Sequence, residues 1–170
     1  PWAADLCLAA GTAGRPPMDP RRRQIWQVAP GLPIPREIPF IMDVDRRFYI
    51  RRYRELLLLS LMDEEPGVLT GNEPAFDWNQ IYEITDRVEG RIPALAEASV
   101  ARGWAGWRTL TPDDAPVLGR VESVPGLYMA AGFGGHGLAL APFCGELVAA
   151  EILGEDRGTD LAPFRIERFL

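Results

Sequence analysis

The chain has 170 residues, of which 47% are hydrophobic, and its formal net charge is −6. This length and composition suit one globular piece with a sizeable core, and the negative charge argues against a nucleic-acid surface. All 18 basic residues are arginine. The chain therefore cannot form a lysine Schiff base, a pyridoxal phosphate site or a Walker A phosphate loop.

Signals for targeting and for metal binding are missing from the sequence. No window of about 18 apolar residues predicts a membrane span, and residues 1–10 lack the basic start of a secretory signal. Cys7 and Cys144 are too few and too far apart for a metal motif or a disulfide framework. We expect buried thiols in a reducing cytoplasm, no metal site and no membrane span.

Residues 1–20 are rich in alanine, glycine and proline. Residues 2–10 favour a short helix, and residues 11–20 are typical of a linker. Gln24–Val28 favours a strand, and the proline-punctuated segment 30–39 favours a loop.

The middle of the chain carries a hairpin pattern and then a helical one. Residues 47–53 alternate and residues 55–61 form an apolar run, so the pair predicts a hairpin with strands at least half buried. Asp77 and Gln80 resemble a capping box for an amphipathic helix over 78–89. The residues expected on the apolar face of this helical pattern are Trp78, Ile81, Thr85, Val88 and Ile92.

A glycine-rich turn in the last third is the most informative segment. Residues 126–131 favour a short buried strand, and Gly132, Gly134 and Gly137 then spell G-x-G-x-x-G before an apolar helix over 138–153. Glycines at such a turn let the backbone approach a ligand, and the helix N-terminus offers N–H groups and a positive dipole end. We expect an electron-rich group there.

This turn does not fit a dinucleotide-binding fingerprint. That motif opens a βαβ unit of about 30 residues, with a second strand that ends in an acidic residue. Here Gly154 closes the helix and only residues 155–170 remain, which predicts a tail that packs back. A tight turn that merely lets the helix pack on the strand stays open as the alternative.

Three sequence blocks stand out in the C-terminal part. Residues 104–119 read W-A-G-W-R-T-L-T-P-D-D-A-P-V-L-G, residues 126–145 read G-L-Y-M-A-A-G-F-G-G-H-G-L-A-L-A-P-F-C-G, and residues 160–169 read D-L-A-P-F-R-I-E-R-F. In letters, order and spacing they resemble the C-terminal part of the FAD-dependent amino-acid oxidase family, which includes glycine oxidase, sarcosine oxidase and related amine dehydrogenases. Gly134 stands where that family usually has serine. The resemblance extends over about residues 21–170.

The resemblance implies an incomplete enzyme. Family members are considerably longer and begin with a Rossmann βαβ that binds the ADP half of FAD, and residues 1–6 resemble the stretch that follows this portion. We expect a fragment, a truncated gene product or one piece of a split enzyme. Such a piece would hold FAD tightly only together with the missing half.

The resemblance also implies the fold class and the domains. We expect an α+β fold with a mixed or antiparallel substrate-domain sheet and helices, plus C-terminal strand–helix elements of an FAD-binding Rossmann-like domain. Residues 1–20 would be a remnant of the FAD-binding domain and a linker. Residues 21–105 would be the substrate-binding domain, and residues 106–170 the flavin-contacting part.

The implied function is oxidation of the C–N bond of an amino acid or secondary amine to an imine by hydride transfer to FAD. The expected partners are a small amino acid or amine, and either the missing N-terminal half or a second copy of the chain. The alternatives are a non-catalytic partner subunit or assembly factor, an inactive fragment, and a stand-alone small-ligand domain.

Arg108 is the first candidate catalytic residue. By the resemblance, it grips the substrate carboxylate. A planar guanidinium binds a carboxylate bidentately and would fix the Cα–H over the flavin. A surface ion pair with Asp113 or Asp114 is the alternative.

Tyr49 and Arg51 complete the candidate catalytic set. They lie in a segment similar to the family's F-Y-x-R strand beside the substrate. Alternation along a strand places both on one face, as a shared pocket wall requires. The alternative is a half-buried tyrosine next to a solvated arginine.

The candidate cofactor-binding residues form the turn that, by the resemblance, faces the pyrimidine side of the flavin ring. Hydride transfer leaves negative charge near N1 and C2=O, which helix-start amides stabilise. We expect His136 to shape this turn, with proton transfer as the alternative. The set comprises Gly132, Gly134, Gly135, His136, Gly137 and Leu138.

Two departures from the family pattern bear on how the flavin is attached and on what takes up its electrons. Gly106 stands where some sarcosine oxidases attach flavin through cysteine, so we expect non-covalent FAD. Ala139 stands where those enzymes carry a lysine that serves the reaction with oxygen. A dehydrogenase that passes its electrons elsewhere therefore stays open beside an oxidase.

Overall fold

The computed structural model describes residues 1–62, 65–66 and 73–169. Within these ranges the helices are α1 (Ala3–Ala9), α2 (Gln80–Glu89) and α3 (Gly137–Leu153). The strands are β1 (Asp19–Ala29), β2 (Ile41–Asp43), β3 (Phe48–Tyr53), β4 (Leu56–Leu61), β5 (Glu65–Pro66), β6 (Ser99–Leu110), β7 (Val117–Arg120) and β8 (Tyr128–Ala131). Short 3₁₀ helices span Pro93–Leu95, Ala162–Phe164 and Ile166–Phe169.

The chain divides into two compact units. One joins Pro1–Arg21 to Arg108–Leu170, and we call it the terminal unit. The other is Arg22–Trp107, which we call the sheet unit. The assignment of these parts of the chain to a substrate-binding and a flavin-contacting role stays a prediction.

The sheet unit is organised around the order β2-β3-β4-β1-β5, with β6 also paired to β1. The predicted hairpin is confirmed: β3 and β4 pair antiparallel from Phe48↔Leu61 to Tyr53↔Leu56. Because side chains alternate across a strand, Phe48 and Ile50 enter the core while Tyr49 between them faces the other way. Strand β2 was not expected, since three residues are too few to show a period.

Helix α2 begins at Gln80, and the predicted capping box is wrong. The Asp77 carboxylate accepts the N–H of Asn79 at 3.0 Å, whereas the Gln80 side-chain oxygen accepts from Nε2 of Gln24 at 2.8 Å. Oε1 of Gln24 in turn accepts the Asp77 N–H. A residue of β1 thus supplies the bonds that a capping box would make locally.

The buried face of α2 differs in part from the expected one. Ile84 and Val88 are buried against Trp26 and the hairpin, and Ile81 packs beside them. Trp78 lies before the helix and is 60% exposed, although its ring still meets Trp26 at 5.5 Å between centroids.

In the terminal unit, β7 and β8 pair antiparallel and helix α3 packs on them. Cys144, Leu147 and Val148 of α3 form a buried cluster with Leu118 and Leu161. The helix ends as expected at Gly154, which adopts the left-handed conformation at φ 72°.

Helix α1 and the C-terminal tail complete the core of the terminal unit. Ala4 and Cys7 of α1 lie with Met129 and Ile166 in one buried cluster, and Cys7 Sγ lies 3.3 Å from Met129 Sδ. Burial raises the pKa of the Cys7 thiol. The buried Ile166 confirms that the tail packs back.

The fold is therefore a mixed α/β arrangement whose registered strand pairs are antiparallel. Among the helices of the described residues, none has both the length and the apolar character that a bilayer span requires.

Candidate functional site

The glycine turn connects β8 to α3 in the terminal unit. Gly132, Gly134 and Gly135 all have positive φ, at 74°, 63° and 142°. The Gly134 N–H donates to the Thr109 carbonyl at 3.0 Å, and the His136 N–H donates to the Phe133 carbonyl at 2.9 Å. The backbone conformation of this turn is therefore one that residues with side chains rarely adopt.

At two of these positions a Cβ would also lie closer than 3 Å to a neighbouring side chain. A Cβ on Gly132 would lie 2.7 Å from Cγ2 of Thr111. A Cβ on Gly135 would lie 2.7 Å from both Cζ and Nε of Arg108. At Gly134, by contrast, a Cβ would meet only the Leu110 side chain among the described residues, at 3.4 Å. Gly132 and Gly134 are buried, whereas Gly135 and His136 are exposed.

The structure brings Arg108 together with the turn. Its Nε donates to the carbonyl oxygen of Gly134, and its guanidinium is half-buried at the end of β6. Asp113, one of the two alternative ion-pair partners, is bound by Arg168 at 2.8 Å. The Arg168 hydrogen bonds lower the pKa of Asp113 to about 2, well below its ordinary range.

Tyr49 and Arg51 lie on one face of β3 in the sheet unit, as the alternation predicts. Tyr49 is half-buried and stands opposite Met42 and Ser60 in the strand register. Arg51 is exposed. The role of both residues at a substrate site stays a prediction.

The structure adds neighbours of Tyr49 that the sequence analysis missed. The Phe40 ring lies 5.5 Å from the Tyr49 ring, and Met42 pairs with Tyr49 across the strands. Phe40, Met42 and Val44 are all at least half exposed, so one side of this edge is apolar. The apolar Ile41 lies between Phe40 and Met42, so no clear alternation marked strand β2 in the sequence.

The start of α3 suits an electron-rich ligand. Gly137 is its first residue and His136 occupies the N-cap position, and no acidic residue lies in the first turn. The positive end of the helix dipole is therefore not neutralised by a carboxylate of that turn. Leu138 is 97% exposed beside the turn, which offers an apolar surface next to the polar backbone.

These features fit the ring end of a flavin. Backbone N–H groups at a helix start stabilise negative charge, a ligand can approach the exposed backbone of Gly135 and His136, and Leu138 can contact a flat ring. A guanidinium next to the same turn is the group that binds a carboxylate bidentately. A guanidinium and a helix N-terminus thus lie at the same turn.

Comparison with known proteins identifies relatives of this chain. Residues 1–151 match the family model DAO, described as FAD dependent oxidoreductase. The chain is 31% identical over 189 residues to FAD-dependent oxidoreductase domain-containing protein 1 of Bos taurus, covering 99% of this chain and 37% of that protein. It is 27% identical over 180 residues to 4-methylaminobutanoate oxidase (formaldehyde-forming) of Paenarthrobacter nicotinovorans, covering 99% and 21%.

The fold of the chain is also found in solved structures. Glycine oxidase from Geobacillus kaustophilus superimposes with a TM-score of 0.85 at 25% identity, covering 99% of this chain and 44% of that one. The chain thus spans less than half the length of each of these relatives. With a family model matched over most of its residues and a shared fold, the chain belongs to the DAO family of FAD-dependent oxidoreductases.

Proposed function

We propose that this chain forms the substrate-binding and flavin-contacting part of an FAD-dependent enzyme that oxidises the C–N bond of an amino acid or secondary amine to an imine. The observation that carries the proposal is the contact between Arg108 and the glycine turn. It joins a carboxylate-binding group to a backbone suited to a flavin ring.

Each candidate residue has a role in this proposal. Arg108 binds the substrate carboxylate and orients the carbon that loses hydride. The turn from Gly132 to Leu138 lies against the flavin, and the N–H groups at the start of α3 stabilise negative charge that develops there. Tyr49 and Arg51 form a wall of the substrate pocket.

FAD, when bound, supplies the hydride acceptor that no side chain of the protein can replace. We propose that it is held without a covalent bond, since Gly106 offers no thiol for attachment. The names of the relatives support a substrate that carries both nitrogen and a carboxylate: glycine for one, 4-methylaminobutanoate for another.

The proposal includes a second polypeptide portion. The chain covers 44% of the glycine oxidase structure. Among its described residues, one glycine-rich turn leads into a helix longer than seven residues. We propose that the site for the ADP half of FAD is supplied by a further portion of the same enzyme, on the same or on a separate polypeptide.

The test is a visible absorption spectrum of the chain purified alone and of the chain expressed together with the coding sequence immediately upstream. We expect flavin bands only in the joint preparation, bleached without oxygen by an amino acid or N-methyl amino acid. In that preparation R108Q should keep the flavin and lower kcat/KM about 100-fold for substrates with a carboxylate, because a charged bidentate contact is lost.

The matched control is R102Q, which changes an arginine that lies over the Trp104 ring at 5.0 Å and leaves Arg108 in place. It should leave kcat/KM within about twofold of the unaltered protein. A joint preparation without flavin would contradict the proposal and favour a non-catalytic partner subunit. Equal kinetic loss in R102Q and R108Q would contradict the assigned role of Arg108.

A further inference from the structure

We infer that Arg108 is a positioning residue for the glycine turn, so that a carboxylate bound at Arg108 changes the backbone that faces the cofactor. The positioning part stands on the geometry of the terminal unit alone. The carboxylate part rests on the proposed function.

Gly134 is held from two sides by consecutive residues of β6. Its N–H donates to the Thr109 carbonyl at 3.0 Å, and its carbonyl accepts from Nε of Arg108. One bond comes from the strand backbone and the other from a side chain. The side-chain bond is the one that a ligand can alter.

Gly135 provides the space in which the guanidinium lies. Cζ and Nε of Arg108 occupy positions only 2.7 Å from where a Cβ of residue 135 would be. The absence of a side chain at 135 and the position of the guanidinium therefore depend on each other. The Nε that bonds to the Gly134 carbonyl is one of these atoms, so a shift of the guanidinium also breaks that bond.

A turn of this kind requires an external restraint. Gly132, Gly134 and Gly135 lose more conformational freedom on ordering than any other residue type would. The guanidinium is a rigid plane that carries five N–H donors. A carboxylate that binds two of these donors re-orients the whole plane, and Nε moves with it against the Gly134 carbonyl.

The first experiment is a double-mutant cycle on unfolding by urea with G135A, R108A and the double variant. G135A should raise the unfolding equilibrium constant strongly in the unaltered chain, because the new methyl group must displace the guanidinium. In the R108A background, G135A should raise the unfolding equilibrium constant about tenfold less, because only the strain of a positive φ at residue 135 remains.

Gly145 of α3 provides the control, since a Cβ there would meet no neighbour within 4 Å among the described residues outside its own helical turn. G145A should have the same effect with and without Arg108. If R108A does not fold, R108V, whose side chain is likewise too short to reach the space beside Gly135, takes its place in the cycle. R108M, which keeps the length of the side chain without its donors, is used only in the titration described next. Equal costs of G135A in both backgrounds would overturn the inference.

The second experiment follows the Arg108 Nε–H and the amides of Gly134, Gly135 and His136 by ¹H–¹⁵N NMR during titration with sodium acetate, with sodium chloride at equal ionic strength as reference. We expect acetate to shift the Nε–H and the turn amides together. The turn amides should not respond in R108M.

The outcomes separate the inference from the proposed function. If acetate shifts the Arg108 Nε–H signal but not the amides of the turn, the carboxylate site at Arg108 stands and the coupling to the turn is overturned. No response of either group overturns the coupling and, with it, the carboxylate site at Arg108, even if the double-mutant cycle shows the restraint. Retention of the turn response in R108M would overturn the assignment to Arg108.

Discussion

Arg168 fastens the C-terminal tail to the loop that follows β6. Its Nε donates to Oδ2 of Asp113 at 2.8 Å and its Nη2 to Oδ1 at 3.2 Å, the fork geometry that favours arginine over lysine. The same guanidinium also reaches the carbonyls of Ala115, Pro116, Phe164 and Arg165. Both residues lie in sequence blocks that resemble the family, but their contact was not predictable from the sequence, because 55 residues separate them.

The Asp113–Arg168 pair predicts a pH dependence of stability. The folded-state pKa of Asp113 is lowered to about 2, so its contribution is present above the unfolded-state pKa of about 3.9 and is lost as pH falls from about 4 to 2. In D113N this part of the acid destabilisation should be absent. The free energy of unfolding, measured in urea at pH 6 and at pH 3, checks this.

The control for that measurement is D86N, which alters a carboxylate exposed on α2. It should keep the difference between pH 6 and pH 3 that the unaltered chain shows. If D113N shows the full difference as well, the pair contributes nothing to acid stability.

At the scale of elements, the sequence predicted those strands and helix ends that depend only on residues close together in the chain. The alternation of β3, the apolar run of β4 and the left-handed Gly154 are each properties of a few adjacent residues. The start of α2 was predicted less well, because Gln24 reaches it from 53 residues away. The contact between Arg108 and Gly134 crosses 26 residues and was likewise beyond any local pattern.

Helix α2 should owe its stability to the face that packs on the sheet. Ile84 is 2% exposed there, so I84A leaves a cavity and should lower the free energy of unfolding by about 3 kcal/mol. Tyr82 on the same helix is 77% exposed, and Y82A should cost less than about 0.5 kcal/mol. Urea denaturation followed by circular dichroism compares the two, and equal losses would show that the packing of this face is not what holds α2.

At the scale of the whole molecule, α3 presents more apolar surface than an exposed helix usually does. Its side chains are apolar almost all round, and large ones are exposed along its length: Leu138, Phe143, Ile152 and Leu153. A helix with this pattern usually has protein on both sides. This surface supports the proposal of a further polypeptide portion.

The exposed face of α3 predicts self-association of the purified chain. We expect sedimentation velocity to show species heavier than the 18.9 kDa monomer, in proportions that rise with concentration, because large apolar patches promote association. L153E should shift the distribution towards the monomer, while L32E, on an exposed loop residue of the sheet unit, should not. A monodisperse monomer at all concentrations would contradict the prediction.

The composition of the terminal unit from both ends of the chain has a consequence for the order of folding. The contact between Cys7 and Met129 closes a loop of 122 residues, whereas the sheet unit is built from one continuous stretch. Closing a long loop is slow, because the chain loses conformational entropy before the stabilising contacts have formed. During synthesis on the ribosome, α1 must therefore wait for most of its packing partners until the whole sheet unit has emerged.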